Sequence, residues 1–394
     1  MEKLKSNFLR FISNYKIIFV IYIFVSAITA LNNYKIGEKS YNNYLLFKYV
    51  FTHTREQKNI FLQYPDLFFD SNHYGVFFSL LIAPFAIMPD WLGMTVWNIA
   101  NTLVFLFAIH KIPFSNKMKS FFAWLCLQEF ITASLYYQFN IALTGLLLLS
   151  AIYIYEKKEI KSVSAILIGT FVKIYGIVGL TQFFFVKNKV KFVLSGLIIA
   201  VAFFVIPMMY SSPQYVIQSY TDWFHSIVEK NNENQVLGNM QDISLMGFFR
   251  RILGDASISN LVFLSIGLPL FMAPYFRIKQ YKNYAFQLMI LASTLLFLVL
   301  FSSSSESPTY IIAVTGVVIW FLIQKERTPF VIGLLIFVII FTCFSTSDLF
   351  PKDIRHNYIK KYSIKAVPCI IVWLRVIYEL LIKDFEKDYS LINK

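Results

Sequence analysis

SVSAILIGTFVKIYGIVGLTQFFFVK, residues 162–187, is apolar enough to enter a bilayer, yet it holds a lysine near its middle and glycines on both sides of it. A membrane-crossing helix needs about 20 predominantly apolar residues. A lysine at that depth costs roughly 2.5–3.5 kcal/mol on insertion scales, so Lys173 is expected to be paired or to line a cavity. The interruption at Lys173 and Gly176 predicts two half-helices of about 11 residues, each rising only about 17 Å. Such arms would form a hairpin with its apex outward. Broken helices at membrane depth persist only where they face protein or an enclosed cavity, so a site near Lys173 is expected.

The same apolar character extends in both directions. Runs such as IIFVIYIFVSAITAL (17–31), KFVLSGLIIAVAFFVIPMMY (191–210) and FVIGLLIFVIIFTCF (330–344) recur along the 394 residues. The chain is 57% hydrophobic and 15% charged, against about 25% charged in soluble domains. These values exclude a soluble enzyme, a disordered chain and a secreted disulfide scaffold. The fold class is all-α polytopic membrane protein. The net charge of +14 comes from Lys and Arg flanking the spans, which suits loops held at anionic lipid and argues against nucleic acid. Cys126, Cys343 and Cys369 each lie inside an apolar run without CxxC spacing, so no metal site or disulfide is expected.

The positive-inside rule then orders the spans. The basic N-terminal segment is placed inside, followed by a retained first span at 16–31. Further spans are expected at 91–110, 120–136, 140–155, 191–210, 258–275, 284–302, 310–324, 329–346 and 366–383. The short run 75–88, containing Pro84, reads as re-entrant or peripheral. One membrane domain, 1–394, results, with two long extracytoplasmic loops at 32–74 and 211–256 and shorter ones at 303–309 and 347–365. The last of these is basic, against the rule; either the topology differs there or its charges serve an anionic partner.

Polar residues at the outer boundary are the candidates for chemistry. The first loop contains QYPDLFFDSNHYG (63–75), which places Asp66, Asp70, His73 and Tyr74 within a short stretch. A carboxylate beside an apolar boundary can act as general base toward a hydroxyl, so Asp70, and after it Asp66, are candidate catalytic residues. Tyr74 is a candidate substrate contact. Lys173 suits a phosphate oxygen of a lipid-linked substrate; the alternative is a structural lysine with a counter-ion such as Glu129. Gln138 and Asn140 are amides placed to bond sugar hydroxyls or to cap a helix. Gln241 and Asp242, ahead of Arg250 and Arg251, are candidates for glycan or phosphate contact. Glu306 is either a substrate ligand or the acid capping the following span. Arg355 and His356 in the basic loop could neutralise a phosphate. Arg375 and Glu379, at i,i+4, read as a structural pair. No Walker A, GxGxxG, HExxH or GxSxG motif occurs, so neither a nucleotide-sugar site nor a metal or other cofactor is expected.

In order along the chain stand Tyr64-Pro65, then FFSLLIAPFAIMP with Pro84 and Pro89, Trp97-Asn98, Gln138-Phe139-Asn140, and ILIGTFVK ending at Lys173. In this order and spacing the sequence resembles glycosyltransferase family 87, polyprenyl-phosphate-dependent enzymes of the GT-C fold. The resemblance implies a GT-C-like bundle of about 10–12 transmembrane helices with short re-entrant helices. It implies metal-independent, inverting transfer of a hexose, often mannose, from a polyprenyl phosphate to a lipid- or glycan-linked acceptor outside the cell membrane. An outer-loop aspartate would be the base, and Lys173 with other basic residues would stabilise the departing phosphate. The chain departs from the family where members carry an acid in a D-F-x-x-Y context, since it has Asn42-Asn43-Tyr44 there. Either Asp70 has taken over that role or the chain is an inactive member. The competing readings are a transporter or flippase, or a polymerase, of lipid-linked glycans. A transporter would be expected to show internal symmetry between its halves, and none is apparent.

Overall fold

A computed structural model describes residues 13–238 and 241–389. The basic segment 1–12, expected inside, lies outside the described residues. Helices follow in the order α1 Tyr15–Ile36, α2 Asn42–Arg55, α3 Phe78–Ala86, α4 Asp90–Lys111, α5 Asn116–Leu135, α6 Asn140–Tyr155 and α7 Glu159–Val172. A 3₁₀ helix, Ile174–Phe185, comes next, then α8 Lys189–Val205, α9 Pro213–Asn234, α10 Leu245–Leu253 and α11 Asn260–Met272. The chain continues through α12 Tyr284–Leu300, α13 Tyr310–Ile323, α14 Pro329–Val338, which runs on as a π turn to Cys343, and α15 Val367–Ile382. Tyr15–Ile36, Asp90–Lys111 and Lys189–Met209 are long and apolar enough to cross a membrane by themselves. The last is only 11% buried over its most apolar window, as a helix facing lipid would be. The protein is an all-helical polytopic membrane protein.

Two compact, interleaved units divide the chain. One comprises Phe19–Lys111 and Ile131–Glu229; the other comprises Met1–Ile18, Ile112–Phe130 and Lys230–Lys394. In the first, α4, α6 and α7 pack in sequence. Gly145 makes the approach of α6 to α4 possible, because a Cβ there would sit 2.8–2.9 Å from the backbone of Val104 and Phe105. In the second unit α13 is buried on every side, between α12 and α15.

The lysine-bearing stretch forms the expected hairpin, with one difference. Its first arm is the α-helix α7, and its second is a 12-residue 3₁₀ helix rather than a second α-helix. The reason lies in the side-chain period. Gly176, Gly179 and Gln182, three apart, are buried, while Ile174, Ile177 and Leu180, also three apart, are exposed. A 3₁₀ helix eclipses residues at i and i+3, so this spacing gives one apolar edge and one packed edge. Gly176 lies so close to α7 that a Cβ would stand 2.2 Å from the backbone of Gly169 and Thr170. At about 1.5 and 2.0 Å per residue the arms span about 21 and 24 Å, longer than half-helices of equal α pitch would be.

Two of the basic residues of the loop 347–365 have acidic partners. Lys365 is 1% exposed, and its Nζ donates to both oxygens of Glu129, at 2.8 and 3.1 Å. The ring of Tyr310 lies 5.0 Å from the ammonium. Glu129 is therefore the partner of Lys365, which corrects its suggested pairing with Lys173. Arg355 pairs with the exposed Asp348. Arg375 and Glu379 form the i,i+4 pair expected of them.

Candidate active site

Lys173 ends α7. Its N–H bonds Gly169 O, after which the backbone turns extended at φ −137°, ψ 121°. Four segments of the first unit meet around this break. The start of α6 supplies Asn140, whose Oδ1 accepts from Lys173 Nζ at 2.9 Å, while its Nδ2 donates to Gln138 Oε1. The 3₁₀ arm supplies Tyr175, whose ring lies 4.8 Å from the ammonium. The first loop supplies Tyr74, whose ring lies 5.9 Å from the ammonium. Phe47 of α2 and Phe78 of α3 pack on the Tyr74 ring, and its hydroxyl accepts the Phe139 N–H. Gly75 N–H bonds Val172 O at 3.1 Å, which joins this loop to the helix break. Only glycine fits there, because a Cβ would meet Phe171 O at 2.4 Å. Helix α9 closes the arrangement: Trp223 Nε1 donates to His73 O, and Ser226 Oγ to Asn72 O and within 2.7 Å of His73 Nδ1.

The result is a half-buried ammonium held by a neutral amide and two phenol rings. A planar amide and aromatic faces orient the ammonium without a carboxylate among these contacts. Such a group suits an anionic oxygen, and the neighbouring amides and hydroxyls suit sugar hydroxyls.

Asp70 lies four residues before Tyr74 in the docked loop, so its Cα is at most about 14 Å from that of Tyr74. It is exposed and takes φ 82°, a left-handed conformation that aspartate adopts more readily than most residues. Its Oδ1 accepts the following N–H of Ser71. The residue before it is gripped by Asn42, which bonds both the N–H and the C=O of Phe69 at 2.6 Å. Asn42 thus anchors the backbone beside Asp70. Asp66 is exposed on the same loop.

The remainder of this loop rests on His53 of α2, 3% exposed, against the rings of Tyr64, Tyr49 and Phe68. Burial, with Lys58 adding to it, holds His53 below its ordinary value of 6.5; Glu56 opposes weakly. A histidine whose folded pKa is depressed favours the fold above its unfolded pKa, and that contribution is lost as pH falls below about 6.5. Acidification from pH 7 to 5 is therefore expected to lower the unfolding midpoint, and His53→Phe to flatten that dependence. An unchanged slope in the variant would assign the pH effect to other groups.

The other expected residues belong to the second unit. Asp242 is 2% exposed and bound by Arg250 Nη1 at 2.8 Å and Ser244 Oγ at 2.5 Å, while Arg251 donates to its carbonyl. Burial holds its carboxyl above the ordinary range despite these donors. Gln241 is half-buried beside it. Glu306 forms a capping box with Thr309 at the start of the helical turn that leads into α13. Arg355 bonds Asp348, and His356 is exposed. Sequence reasoning passed over Tyr175, Trp223 and Ser226. The period-three pattern of 174–182 could have placed Tyr175; nothing in an amphipathic α9 distinguishes Trp223 or Ser226 from ordinary surface.

Apolar helices interrupted by a lysine-bearing break, with polar loops docked on that break, define an integral membrane protein with a polar site in its helical body. The chain belongs to glycosyltransferase family 87, whose profile matches residues 72–303. It is a membrane glycosyltransferase. No curated protein matches the chain. Among solved structures it is similar to ArnT from Cupriavidus metallidurans bound to undecaprenyl phosphate, at 11% identity and a TM-score of 0.47, covering 92% of this chain and 76% of that one.

Proposed function

We propose that the protein moves a hexose, in the manner of its family a mannose, from a polyprenyl-phosphate donor to a lipid- or glycan-linked acceptor at the outer face of the cell membrane. The observation that carries this reading is Lys173, fixed at a helix break by Asn140 and Tyr175, beside the loop that bears Asp70. Asp70 takes the acceptor hydroxyl proton as that oxygen attacks the anomeric carbon. The bond from that carbon to the phosphate oxygen breaks, and the polyprenyl phosphate leaves with the electron pair, its added negative charge met by Lys173. The sugar is inverted in one displacement. Gln138, Asn140 and Tyr74 line the sugar's approach. Asp66, exposed on the same loop as Asp70, is the reserve base.

A glycosyl phosphate carries its own leaving group, so a base and a cation suffice for the chemistry. Incubating the purified protein with a panel of polyprenyl-phosphate sugars tests the reading directly; no turnover with any of them would remove it. Lys173→Met deletes a charged hydrogen-bond donor, worth about 1.5–3 kcal/mol. The donor KM is expected to rise about 10- to 150-fold, with the acceptor KM within twofold. An equal rise in both would make the lysine structural.

A further inference from the structure

The second unit contains a cavity of about 240 Å³ at the end of α13 remote from Glu306. Gln324, which follows α13, Thr328, which caps α14, and the C-terminal end of α15 form its walls. Four cationic side chains line it: Lys325, Arg375, Lys383 and Lys387. Three acids line it too, Glu326, Glu379 and Asp388, which leaves the lining one positive charge in excess, and Lys387 also lies 3.7 Å from Asp384 Oδ2. Glu379 is 1% exposed; its Oε1 takes Arg375 Nε at 2.6 Å, and its Oε2 takes Trp320 Nε1, Gln324 Nε2 and the Tyr389 hydroxyl. Asp388 accepts the Asp384 N–H. Glu326 is exposed, as is Lys325.

Arg375 is the built part of this site. Glu379, fixed by three other donors, holds its Nε, and the rings of Phe330 and Tyr378 lie 5.5 and 5.1 Å from the guanidinium carbon. Its terminal nitrogens donate no hydrogen bond among the described residues. A guanidinium fixed in this way presents a rigid fork that matches phosphate oxygens. The first turn of α14 adds the positive end of a helix dipole.

Beside the cavity the surface is apolar. Phe330 and Ile332 at the start of α14, and Leu374, Tyr378, Leu381 and Ile382 along α15, are all exposed. A cationic hollow at the end of apolar helices, with an apolar surface leading away from it, has the chemistry of a phospholipid: a phosphate ester above acyl chains.

We propose that this cavity binds a phosphate ester, the headgroup of an anionic phospholipid, separate from the site of sugar transfer. The test uses the full chain in a nonionic detergent, with native mass spectrometry after exposure to phosphatidylglycerol or to phosphatidylcholine of the same acyl composition. The protein is expected to retain phosphatidylglycerol at least tenfold better. The triple variant Lys325→Gln, Lys383→Gln, Lys387→Gln leaves the Arg375–Glu379 pair intact and is expected to lose that preference at an unchanged melting temperature. Should the triple variant fail to fold, Lys325→Gln and Arg375→Lys, tested singly, are each expected to weaken retention at least threefold. Displacement of the lipid by millimolar inorganic phosphate would identify the phosphate group alone as the determinant. No preference for phosphatidylglycerol together with no phosphate binding, or full retention in the folded variants, overturns the proposal.

Discussion

Asp70→Asn is expected to lower kcat for sugar transfer by about 10²- to 10⁴-fold, the range that a positioned general base contributes. The substitution keeps the size and shape of the side chain and removes its charge. Asparagine tolerates a left-handed conformation at φ 82° as well as aspartate does, and its side-chain oxygen can still accept the Ser71 N–H. The Asn42 clamp on Phe69 is untouched. Expression and melting temperature should therefore match the parent protein, so lost activity would reflect the lost carboxylate. Turnover within a factor of three of the parent would remove Asp70 from the mechanism. If Asp66→Asn then showed the large loss, the base would be Asp66.

The second large effect is on stability. Lys365→Met leaves Glu129, which is fully buried, with its main cation removed. Breaking a buried pair from one side costs about 3–5 kcal/mol, because the remaining group must be buried charged or neutralised. The unfolding midpoint in detergent is expected to fall by at least about 5 °C. Adding Glu129→Gln to Lys365→Met should recover part of the loss, since no lone charge is then enclosed. A double variant no better than the single one would mean that the contribution of Lys365 lies in its packing against Tyr310.

Much of the membrane architecture is written in the apolar runs. Spans read at 140–155, 284–302 and 310–324 correspond to helices at Asn140–Tyr155, Tyr284–Leu300 and Tyr310–Ile323, because a continuous apolar stretch between polar segments has few alternatives in lipid. The break at Lys173 was legible for the same reason, since a charge and a glycine inside such a run mark a discontinuity. What escaped the sequence is what depends on contacts between distant residues. Lys365 stands at the boundary of a basic loop, where a lysine reads as solvated, and only the packing of its unit brings it to Glu129, 236 positions away. Asn42 reads as a missing acid, whereas its amide matches the paired donor and acceptor of one backbone residue. The apolar content of the second arm points to an α-helix, and only its period of three reveals the 3₁₀ form.

That arm has a bearing on where the lysine is held. Lys173 sits at the junction of two screws of unequal pitch, fixed by the seating of Gly176 against Gly169. Rewinding residues 174–185 into an α-helix would shorten the arm by about 6 Å. The two glycines thus set how closely the two arms pack beside the cation. A bulkier residue at Gly176 would force the two arms apart at the very turn where Lys173 meets Asn140 and Tyr175.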